Sequence, residues 1–411
     1  MYKHRDIVDK SAEYLDSEYI MIFVGPRQSG KTTILKHIYN NLLKENKKAF
    51  FINLEDIDYL SLLNESPKNL FTITGTDFKQ KAIVFIDEIQ YLKDPTNFLK
   101  YFFDEYKDKI KLIVSGSSAF YIDMKFKDSL AGRKRIFHVF PLSFREFLGF
   151  KDRQDLKNKF KEKVKLENFG LDKFNKIEQR ELTIYLDEYL RFGGYPRVVL
   201  EKDTKEKIEI LKDLSDSFIK KDIAESQINY PEKFFQLFRI LSSQTGNLLN
   251  KYELSNTLAI STSAIDNYIY LMRKSYYIAL INPYHANLRK ELTKQRKMYY
   301  YDLGLRNLFL RNFDIVDLRA DKGRLFENFI FRELLEFVPL DSINFWRTQN
   351  KNEVDFIVED KYAFEVKYNI GNVSLNKYNL FLNSYSHISF NIIYHTGNKK
   401  ITHEKIKYSR F

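Results

Sequence analysis

The sequence feature that most constrains the fold is the run Gly25-Pro-Arg-Gln-Ser-Gly-Lys-Thr32, which stands between an apolar run and an amphipathic helical pattern. Two glycines at this spacing, followed by lysine and threonine, are typical of a phosphate-binding loop. The glycines let the backbone close around phosphate, and N–H groups of the loop and the following helix bind the anion. A strand, a tight loop and a helix in this order predict an α/β fold with a parallel sheet.

Hydrophobic patterning over the first 150 residues supports the same architecture. Strands are predicted at 19–24, 48–54, 81–86, 110–115 and 135–141, with helices at 31–45 and 98–106. This alternation of strands and helices is typical of a parallel sheet covered by helices. The continuously apolar run 82–86 is what a strand buried on both faces requires.

The nucleotide site is predicted to combine the loop with an acidic strand end. We expect ATP to be bound by Gly25, Pro26, Arg27, Gln28, Ser29, Gly30, Lys31, Thr32 and Thr33. Lys31 should reach the β- and γ-phosphates, and Thr32 should ligate Mg²⁺. Asp87, at the end of the third strand, should hold the same Mg²⁺, while Glu88 should act as the catalytic residue that activates water.

Phosphoryl transfer also requires positive charge near the transition state. Arg133, Arg135 and Arg145 are the candidates, and each could instead be a surface cation. Arg133 is preferred as the catalytic arginine because Gly132 can place it on a turn that faces the nucleotide, in its own subunit or in a neighbouring one. The fourth strand ends in Ser115-Gly116-Ser117-Ser118, where a polar side chain could sense the γ-phosphate; the alternative is a Ser/Gly turn.

Composition narrows the class of partner. The chain of 411 residues has a formal net charge of +12 and no cysteine. The positive balance fits an anionic partner such as nucleic acid or an acidic membrane surface, although a lysine-rich surface kept for solubility gives the same charge. Absence of cysteine excludes disulfides and cysteine-bound zinc. No apolar run reaches the ~18 residues of a membrane helix, so we expect a cytoplasmic protein without a membrane partner; a homo-oligomer or a protein partner stays open.

Residues 251–274 have the pattern of a helix-turn-helix, and the strand-like segments after them would make the unit winged. Ser261 is a good N-cap for the second helix, which would present Thr262, Ser263 and Asn267 to DNA. The connection between the two strands is basic and suits phosphate contacts. The contacts predicted there are Arg289, Lys290, Lys294, Arg296 and Lys297. A winged helix used only for protein packing is the alternative.

The region 316–411 holds a third candidate site. Asp355 and Glu365 lie in strand-like runs that a hairpin would bring together, and Lys367 shares a strand face with Glu365. Two carboxylates can hold Mg²⁺ against a scissile phosphate, and a catalytic lysine beside them can stabilise negative charge. Glu327, on a predicted amphipathic helix, is a further candidate metal ligand. The same side chains could instead form ion pairs of structural value only.

Taken together, these motifs resemble a known family. The segments GPRQSGKTT, AIVFIDEIQ, LIVSGSS, SLAGRKRIFHVFPLSFREF and GGYPRVV occur in the order seen in prokaryotic AAA+-type ATP-binding proteins. Members of that family usually end in a domain of unknown function related to PD-(D/E)XK nucleases, which KMYYYDLGLRN, GRLFENFIFREL, FWRTQNKNEVDFIV and AFEVKY resemble here. The resemblance implies an ATP site at Lys31, Thr32, Asp87 and Glu88, and a nuclease signature at Glu327, Asp355, Glu365 and Lys367.

The predicted chain therefore has four segments. They are an AAA+-like P-loop ATPase domain at 1–150, a helical lid or linker at 151–230, a winged helix-turn-helix at 231–315 and a restriction-endonuclease-like α/β domain at 316–411. The expected function is ATP hydrolysis coupled to DNA engagement, with Mg²⁺-dependent DNA cleavage at the C-terminal site. The alternative is a nucleotide-controlled switch whose C-terminal domain is a non-catalytic docking module.

Overall fold

The computed structural model describes residues 2–76, 81–116, 130–225, 228, 230–284, 295–350, 352–397 and 405–411. The chain divides into two compact units, Met1–Pro141 with Lys274–Tyr276, and Leu142–Arg273 with Tyr277–Phe411. Each unit has its own sheet and its own core, so each is described by itself.

A five-stranded parallel sheet forms the centre of the first unit. Its strands are β1 (Ile20–Val24), β2 (Ala49–Asn53), β3 (Ala82–Asp87), β4 (Ile110–Gly116) and β5 (Lys134–His138). Their order across the sheet is β2-β3-β4-β1-β5, and every neighbouring pair is parallel. Because β4 lies between β1 and β3, the ends of β1 and β3 are about 10 Å apart, with the end of β4 between them.

Helices cover this sheet as the βαβ pattern predicts. Those of the first unit are Asp6–Ala12, Lys31–Lys44, Ile57–Glu65, Asn69–Thr74 and Pro95–Tyr106, with a 3₁₀ turn at Ile89–Tyr91. The helix that follows the phosphate loop buries Ile34, Leu35, Ile38 and Leu42, which recur at helical spacing. They share one core with Phe23 of β1 and Phe85 of β3. This core anchors both ends of the phosphate loop.

The second unit contains a seven-stranded mixed sheet. Its strands are β6 (Ile278–Pro283), β7 (Lys297–Tyr300), β8 (Ile343–Arg347), β9 (Glu353–Val358), β10 (Tyr362–Asn369), β11 (Ser389–Thr396) and β12 (Ile406–Arg410). The order across the sheet is β12-β11-β10-β9-β8-β6-β7. The pairs β10–β11, β11–β12 and β6–β8 are parallel, whereas β8–β9, β9–β10 and β6–β7 are antiparallel.

The helices of the second unit bound this sheet and extend beyond it. They are Phe144–Phe150, Gln154–Lys163, Lys176–Phe192, Pro196–Leu200, Thr204–Glu225, Pro231–Ser243, Lys251–Leu258, Thr262–Lys274, Leu303–Leu310, Lys322–Leu334 and Asn379–Ser384. Short 3₁₀ turns lie at Val316–Leu318, Leu340–Ser342, Ile370–Asn372 and Leu375–Tyr378. The helix Lys322–Leu334 packs against β10. Across the described ranges, no helix combines the length and apolar character needed to traverse a bilayer.

The division into units differs from the four predicted segments. Residues 151–230, 231–315 and 316–411 belong to one compact unit apart from residues 274–276. The reason is that β6 pairs with β8, so the predicted wing hairpin joins the C-terminal strands in one sheet. The first unit ends at Pro141, and the helix Phe144–Phe150 belongs to the second, where the Phe144 N–H donates to Glu333 Oε1 (2.9 Å).

Within the second unit, two backbone segments meet at Gly304 with almost no space between them. A Cβ at Gly304 would lie 2.1 Å from the carbonyl oxygen of Phe192. Next to this contact, Asp302 accepts the N–H groups of Gly194 (2.7 Å) and Leu305 (2.8 Å). Burial raises the pKa of Asp302 to about 6 even though these hydrogen bonds favour the carboxylate. The segments around Gly193 and Gly304 are therefore held together by close backbone packing and by the hydrogen bonds of Asp302.

Gly304→Ala should destabilise the second unit by at least about 2 kcal/mol, because backbone atoms and not a flexible side chain must move. Gly323→Ala is the matched control, since an added Cβ there has no atom within 4 Å. In a helix that change should raise the free energy of unfolding by about 0.5–1 kcal/mol. Chemical denaturation measures the free energy of unfolding of both variants. Equal stabilities would contradict a close backbone contact at Gly304.

Candidate functional site

The phosphate loop runs from β1 to the helix Lys31–Lys44, and its backbone needs both motif glycines. Gly30 has φ of 98°, in the left-handed region that glycine adopts without strain. A Cβ at Gly25 would lie 2.1 Å from the carbonyl oxygen of Val139. Gln28 is also left-handed, with φ of 56°, which is uncommon for a residue with a side chain. The loop therefore holds a tight, partly strained conformation.

Lys31 is buried and forms hydrogen bonds with the backbone of the phosphate loop to which it belongs. Its Nζ donates to the carbonyl oxygens of Gly25 (3.0 Å) and Pro26 (2.8 Å). Burial lowers the pKa of Lys31 to about 8, against the opposing effect of the Glu88 and Asp87 carboxylates. Phosphate oxygens are stronger acceptors for an ammonium group than peptide carbonyls. A bound nucleotide can therefore draw the lysine away from the loop.

Asp87 is the buried carboxylate of the site, with 1% of its surface exposed. The Ser115 hydroxyl, from the neighbouring strand β4, donates to Asp87 Oδ1, and the Thr32 hydroxyl is a further hydrogen-bond partner. Burial raises the pKa of Asp87 although both hydroxyls favour the charged form. In the part of the chain that the structure describes, no cation lies within ion-pair distance of this carboxylate.

The groups around Asp87 suit a bound Mg²⁺ ion. A carboxylate and a threonine hydroxyl are hard oxygen donors of the kind that Mg²⁺ prefers. Asp87 lacks a paired cation, and the buried Ser29 Oγ has no hydrogen-bond partner among the residues described. A magnesium–phosphate group would satisfy such buried polar atoms. Thr32 and Asp87 would hold the ion, which would neutralise charge on the phosphates.

Glu88 follows Asp87 in a strained conformation. Its φ of 58° and ψ of 47° are left-handed, which costs a non-glycine residue roughly 1 kcal/mol. Its N–H donates to Ser115 Oγ (3.1 Å), and Gln90 Nε2 donates to its carboxylate. Strain of this kind persists where surrounding contacts fix it, typically at functional positions. Thus Ser115 holds both acidic residues in place.

Arg5 completes the site and has no signal in the sequence. Its Nη1 donates to the carbonyl oxygen of Ser29 (2.7 Å), and its Nη2 donates to that of Phe140 (2.8 Å). Only 5% of its surface is exposed. The guanidinium therefore ties the phosphate loop to the segment that follows β5. Local patterns do not mark this arginine, because both partners are remote in the chain.

Arg133 does not lie at this site. It precedes β5, whose first residue pairs with Ile20 at the start of β1, whereas the phosphate loop follows the end of β1. The two edges of the sheet are about 13 Å apart along β1. Arg133 Nε pairs instead with Asp104 (2.9 Å). Arg133 therefore lies away from the nucleotide site of its own chain, and action on the nucleotide of a neighbouring subunit is the form of the prediction that stays open.

Arg5→Ala should weaken ATP binding about tenfold, because two hydrogen bonds from a charged group that hold the loop are lost. Lys10→Ala, an exposed cation of the first helix, is the matched control and should leave affinity unchanged. Titration with a fluorescent ATP analogue measures binding, and circular dichroism checks the fold. A folded Arg5→Ala protein with unaltered affinity would rule out the buttressing role.

The residues predicted to form a helix-turn-helix lie in two helices of the second unit. The helices Lys251–Leu258 and Thr262–Lys274 flank a turn in which Ala259 is left-handed, with φ of 52°. Ser261 Oγ accepts the Ala264 N–H (3.1 Å) as an N-cap. Thr262, Ser263 and Asn267 are exposed, and the last two line an open cavity of about 830 Å³.

The basic connection between β6 and β7 is described only at its end. Arg289, Lys290 and Lys294 lie outside the described residues. Arg296 is half-buried and lines a cavity of about 640 Å³ that also contains Arg273, Tyr270 and Lys251. Burial and the nearby Arg296 lower the pKa of Arg273. Because Lys251 pairs with Asp266 in the same cavity, the two arginines leave it positively charged.

Lys297, predicted as a DNA contact, is not available to DNA. It is 1% exposed, and its Nζ lies 3.2 Å from Glu327 Oε1, 2.6 Å from Glu353 Oε1 and 3.2 Å from Asp355 Oδ1. The prediction failed because Lys297 is the first residue of the buried strand β7 and not part of the exposed connection. Although burial opposes it, the surrounding carboxylates raise the pKa of Lys297 well above its usual value.

The predicted C-terminal carboxylates do come together. Asp355 on β9 accepts the Val366 N–H of β10 (2.9 Å). Glu365 on β10 pairs with both Lys367 and Lys377, the latter at 2.8 Å. The same strand face thus carries Glu365 and Lys367, as the spacing predicts.

Glu327 reaches this cluster from the helix Lys322–Leu334. The Tyr299 hydroxyl donates to Glu327 Oε1 (2.7 Å). Burial and the charge of Asp355 raise the pKa of Glu327 to about 7. Burial would also raise the pKa of Asp355, but Lys297 and Lys367 hold it below its usual value. The protein's own lysines thus keep Asp355 ionised.

Three sequence families match the chain in succession. Residues 17–148 match an AAA domain family (AAA_14), and residues 183–315 and 322–409 match two domains of unknown function, DUF8612 and DUF4143. The first match contains the phosphate loop, Asp87 and Ser115. Residues 17–148 are thus similar to AAA-type P-loop ATPase domains over the segment that contains the predicted nucleotide site.

Proteins similar along most of the chain are themselves uncharacterized. One from Methanocaldococcus jannaschii is 29% identical over 361 residues, 85% of this chain and 75% of that protein. Another, from Haemophilus influenzae, is 24% identical over 381 residues, 90% of this chain and 86% of that protein.

Among solved structures, the Thermotoga maritima RuvB Holliday junction branch migration motor is 15% identical, with a TM-score of 0.33 over 67% of this chain and 88% of that one. AMPPCP-bound DnaA from Aquifex aeolicus is 16% identical, with a TM-score of 0.30 over 65% and 86%. Similarity at this level transfers neither a partner nor an activity to this chain.

Proposed function

We propose that this protein is a Mg²⁺-dependent ATPase whose nucleotide state controls DNA engagement by its second unit. The observation that carries the proposal is the convergence of Lys31, Thr32, Asp87 and Ser115 on one buried point of the first unit. Asp87 and Ser115 come from two neighbouring strands, and Lys31 and Thr32 come from the first turn of the helix that follows the phosphate loop. Their chemistry matches what a nucleotide triphosphate with its metal ion requires.

Each residue has a distinct role in this proposal. The loop N–H groups and Lys31 bind the phosphates, and Thr32 and Asp87 hold Mg²⁺, which when bound neutralises phosphate charge. Glu88 orients the attacking water and accepts its proton. Ser115 positions both acidic residues, since its oxygen contacts the Asp87 carboxylate and the Glu88 N–H.

Lys31→Ala should abolish hydrolysis and weaken nucleotide binding, because the only lysine of the loop is removed. Glu88→Gln should keep ATP binding but slow hydrolysis at least about 100-fold, the usual contribution of a general base. Glu105→Gln, at an exposed position, is the matched control for the loss of charge. Phosphate release and fluorescent nucleotide binding separate the two effects; retained hydrolysis in Lys31→Ala would refute the site assignment.

DNA engagement is proposed to rest on the helix-turn-helix. Thr262, Ser263 and Asn267 are exposed at the start of its second helix, where a major-groove reader makes base contacts. Arg296 and Arg273 give the neighbouring cavity a positive charge that suits phosphate. The net charge of +12 favours association with a polyanion.

Arg296→Ala should weaken DNA binding and reduce the dependence of log K on log salt by about one unit, as the loss of one phosphate contact requires. Arg180→Ala removes an exposed arginine elsewhere in the same unit and is the matched control. Fluorescence anisotropy with duplex DNA, repeated in the apo, ADP and ATP-analogue states, measures both effects. Equal affinity in all three states would disprove nucleotide control.

DNA cleavage by the second unit is the other candidate function. The placement of Asp355, Glu365 and Lys367 on adjacent strands favours it. The position of Lys297 among the same carboxylates argues against it, because a nuclease of this kind needs a metal ion there. We therefore favour a second unit that engages DNA without cutting it.

A further inference from the structure

A single lysine occupies the point at which the carboxylates of the second unit converge. Lys297 Nζ contacts Glu327, Glu353 and Asp355, which belong to a helix and to strand β9. An ammonium group has three N–H donors, and here it has three carboxylate partners. It donates hydrogen bonds to Glu327 Oε1 and Asp355 Oδ1 (both 3.2 Å), and it forms a close ion pair with Glu353 Oε1 (2.6 Å). The ammonium is thus in contact with all three carboxylates.

The cluster holds as many cationic side chains as carboxyl groups, without any metal ion. Its four carboxylates are Glu327, Glu353, Asp355 and Glu365, and its four cations are Lys297, Arg347, Lys367 and Lys377. Arg347 adds a second cation to Glu353 (2.6 Å). A divalent ion would leave two uncompensated positive charges in a buried site, which is strongly unfavourable. In the first unit, by contrast, Asp87 has no cation partner among the residues described.

Backbone contacts on both sides of β7 hold Lys297 in this place. The backbone of Lys297 pairs with Ile281 of β6 on one side and forms a β-bridge with Leu248 on the other. Hydrogen bonds from Leu249 to Arg296 (2.8 Å) and from Met298 to Asn247 (3.2 Å) flank it. The lysine therefore cannot leave the carboxylates by a small shift of its strand.

We propose that the ammonium of Lys297 stands in the place of a divalent cation, so that the carboxylate centre is complete without metal. The nuclease signature of the second unit then has a structural use: it joins the strand β7 to β9 and to the helix Lys322–Leu334 through buried ion pairs. The centre binds neither Mg²⁺ nor Mn²⁺. This inference does not depend on the ATPase activity of the first unit.

Metal titration of the full chain tests the inference directly. The Asp87→Asn variant removes the metal ligand of the first unit, and no nucleotide is added. Isothermal titration with Mn²⁺ should then show no stoichiometric binding, and the Tm of this protein should be the same in Mg²⁺ and in EDTA. Stoichiometric Mn²⁺ binding that Asp355→Asn abolishes would overturn the inference, whatever the ATPase assays show.

Replacing the lysine supplies the converse test. Lys297→Met, in the same Asp87→Asn background, keeps the aliphatic stem but leaves three carboxylates without their shared cation, so the Tm should fall by roughly 10 °C. Mn²⁺ should bind this variant and restore part of the loss, and adding Asp355→Asn should remove the binding. Lys407→Met, at an exposed position on β12, is the control and should change neither property.

If Lys297→Met does not fold without metal, refolding in Mn²⁺ replaces the titration, and recovery of the folded state there supports the inference. Two results would contradict the proposal that Lys297 stands in the place of a divalent cation. One is a folded Lys297→Met protein that binds no Mn²⁺, and the other is an unfolded Lys297→Met protein that Mn²⁺ cannot refold.

Discussion

The parallel pairing of β4 with both β1 and β3 is the constraint on which the nucleotide site depends. It places the hydroxyl of Ser115 between the phosphate loop and the acidic end of β3. That hydroxyl contacts the buried carboxylate of Asp87 and fixes the strained backbone of Glu88. Without the intervening strand, the two acidic residues would lack the neutral partner that keeps a buried negative charge tolerable. Sheet order thus determines the electrostatics of the site.

Both units contain buried acidic residues, but their charges are compensated in different ways. In the first, Asp87 is buried beside hydroxyl groups, and no cation of the described residues pairs with it, which leaves a place for a metal ion. In the second, Asp355 and its neighbouring carboxylates are matched by lysines and an arginine of the same chain. Spacing in the sequence identifies acidic residues that meet in space. Only the position of the cations shows whether a metal ion has a place among them.

Local patterns in the sequence predicted much of the fold, and remote contacts account for what they missed. The strands Ala82–Asp87 and Ile110–Gly116 lie within one residue of the predicted bounds, 81–86 and 110–115, because apolar periodicity is a local property. The roles of Arg5 and Lys297 come from partners far along the chain, and the pairing of β6 with β8 has no local signal. The position of Arg133 away from the nucleotide site of its own chain has no local signal either, because a Gly-Arg turn has the same sequence at either edge of a sheet.

The hydrogen bonds from Lys31 to the carbonyl groups of its own loop have a consequence for turnover. A nucleotide that enters the site exchanges two existing hydrogen bonds for new ones, so its affinity reflects only the difference between them. After hydrolysis, the same carbonyls compete with the product phosphates for the ammonium. The loop thereby weakens the binding of product phosphates in the same way as it weakens the binding of the incoming nucleotide.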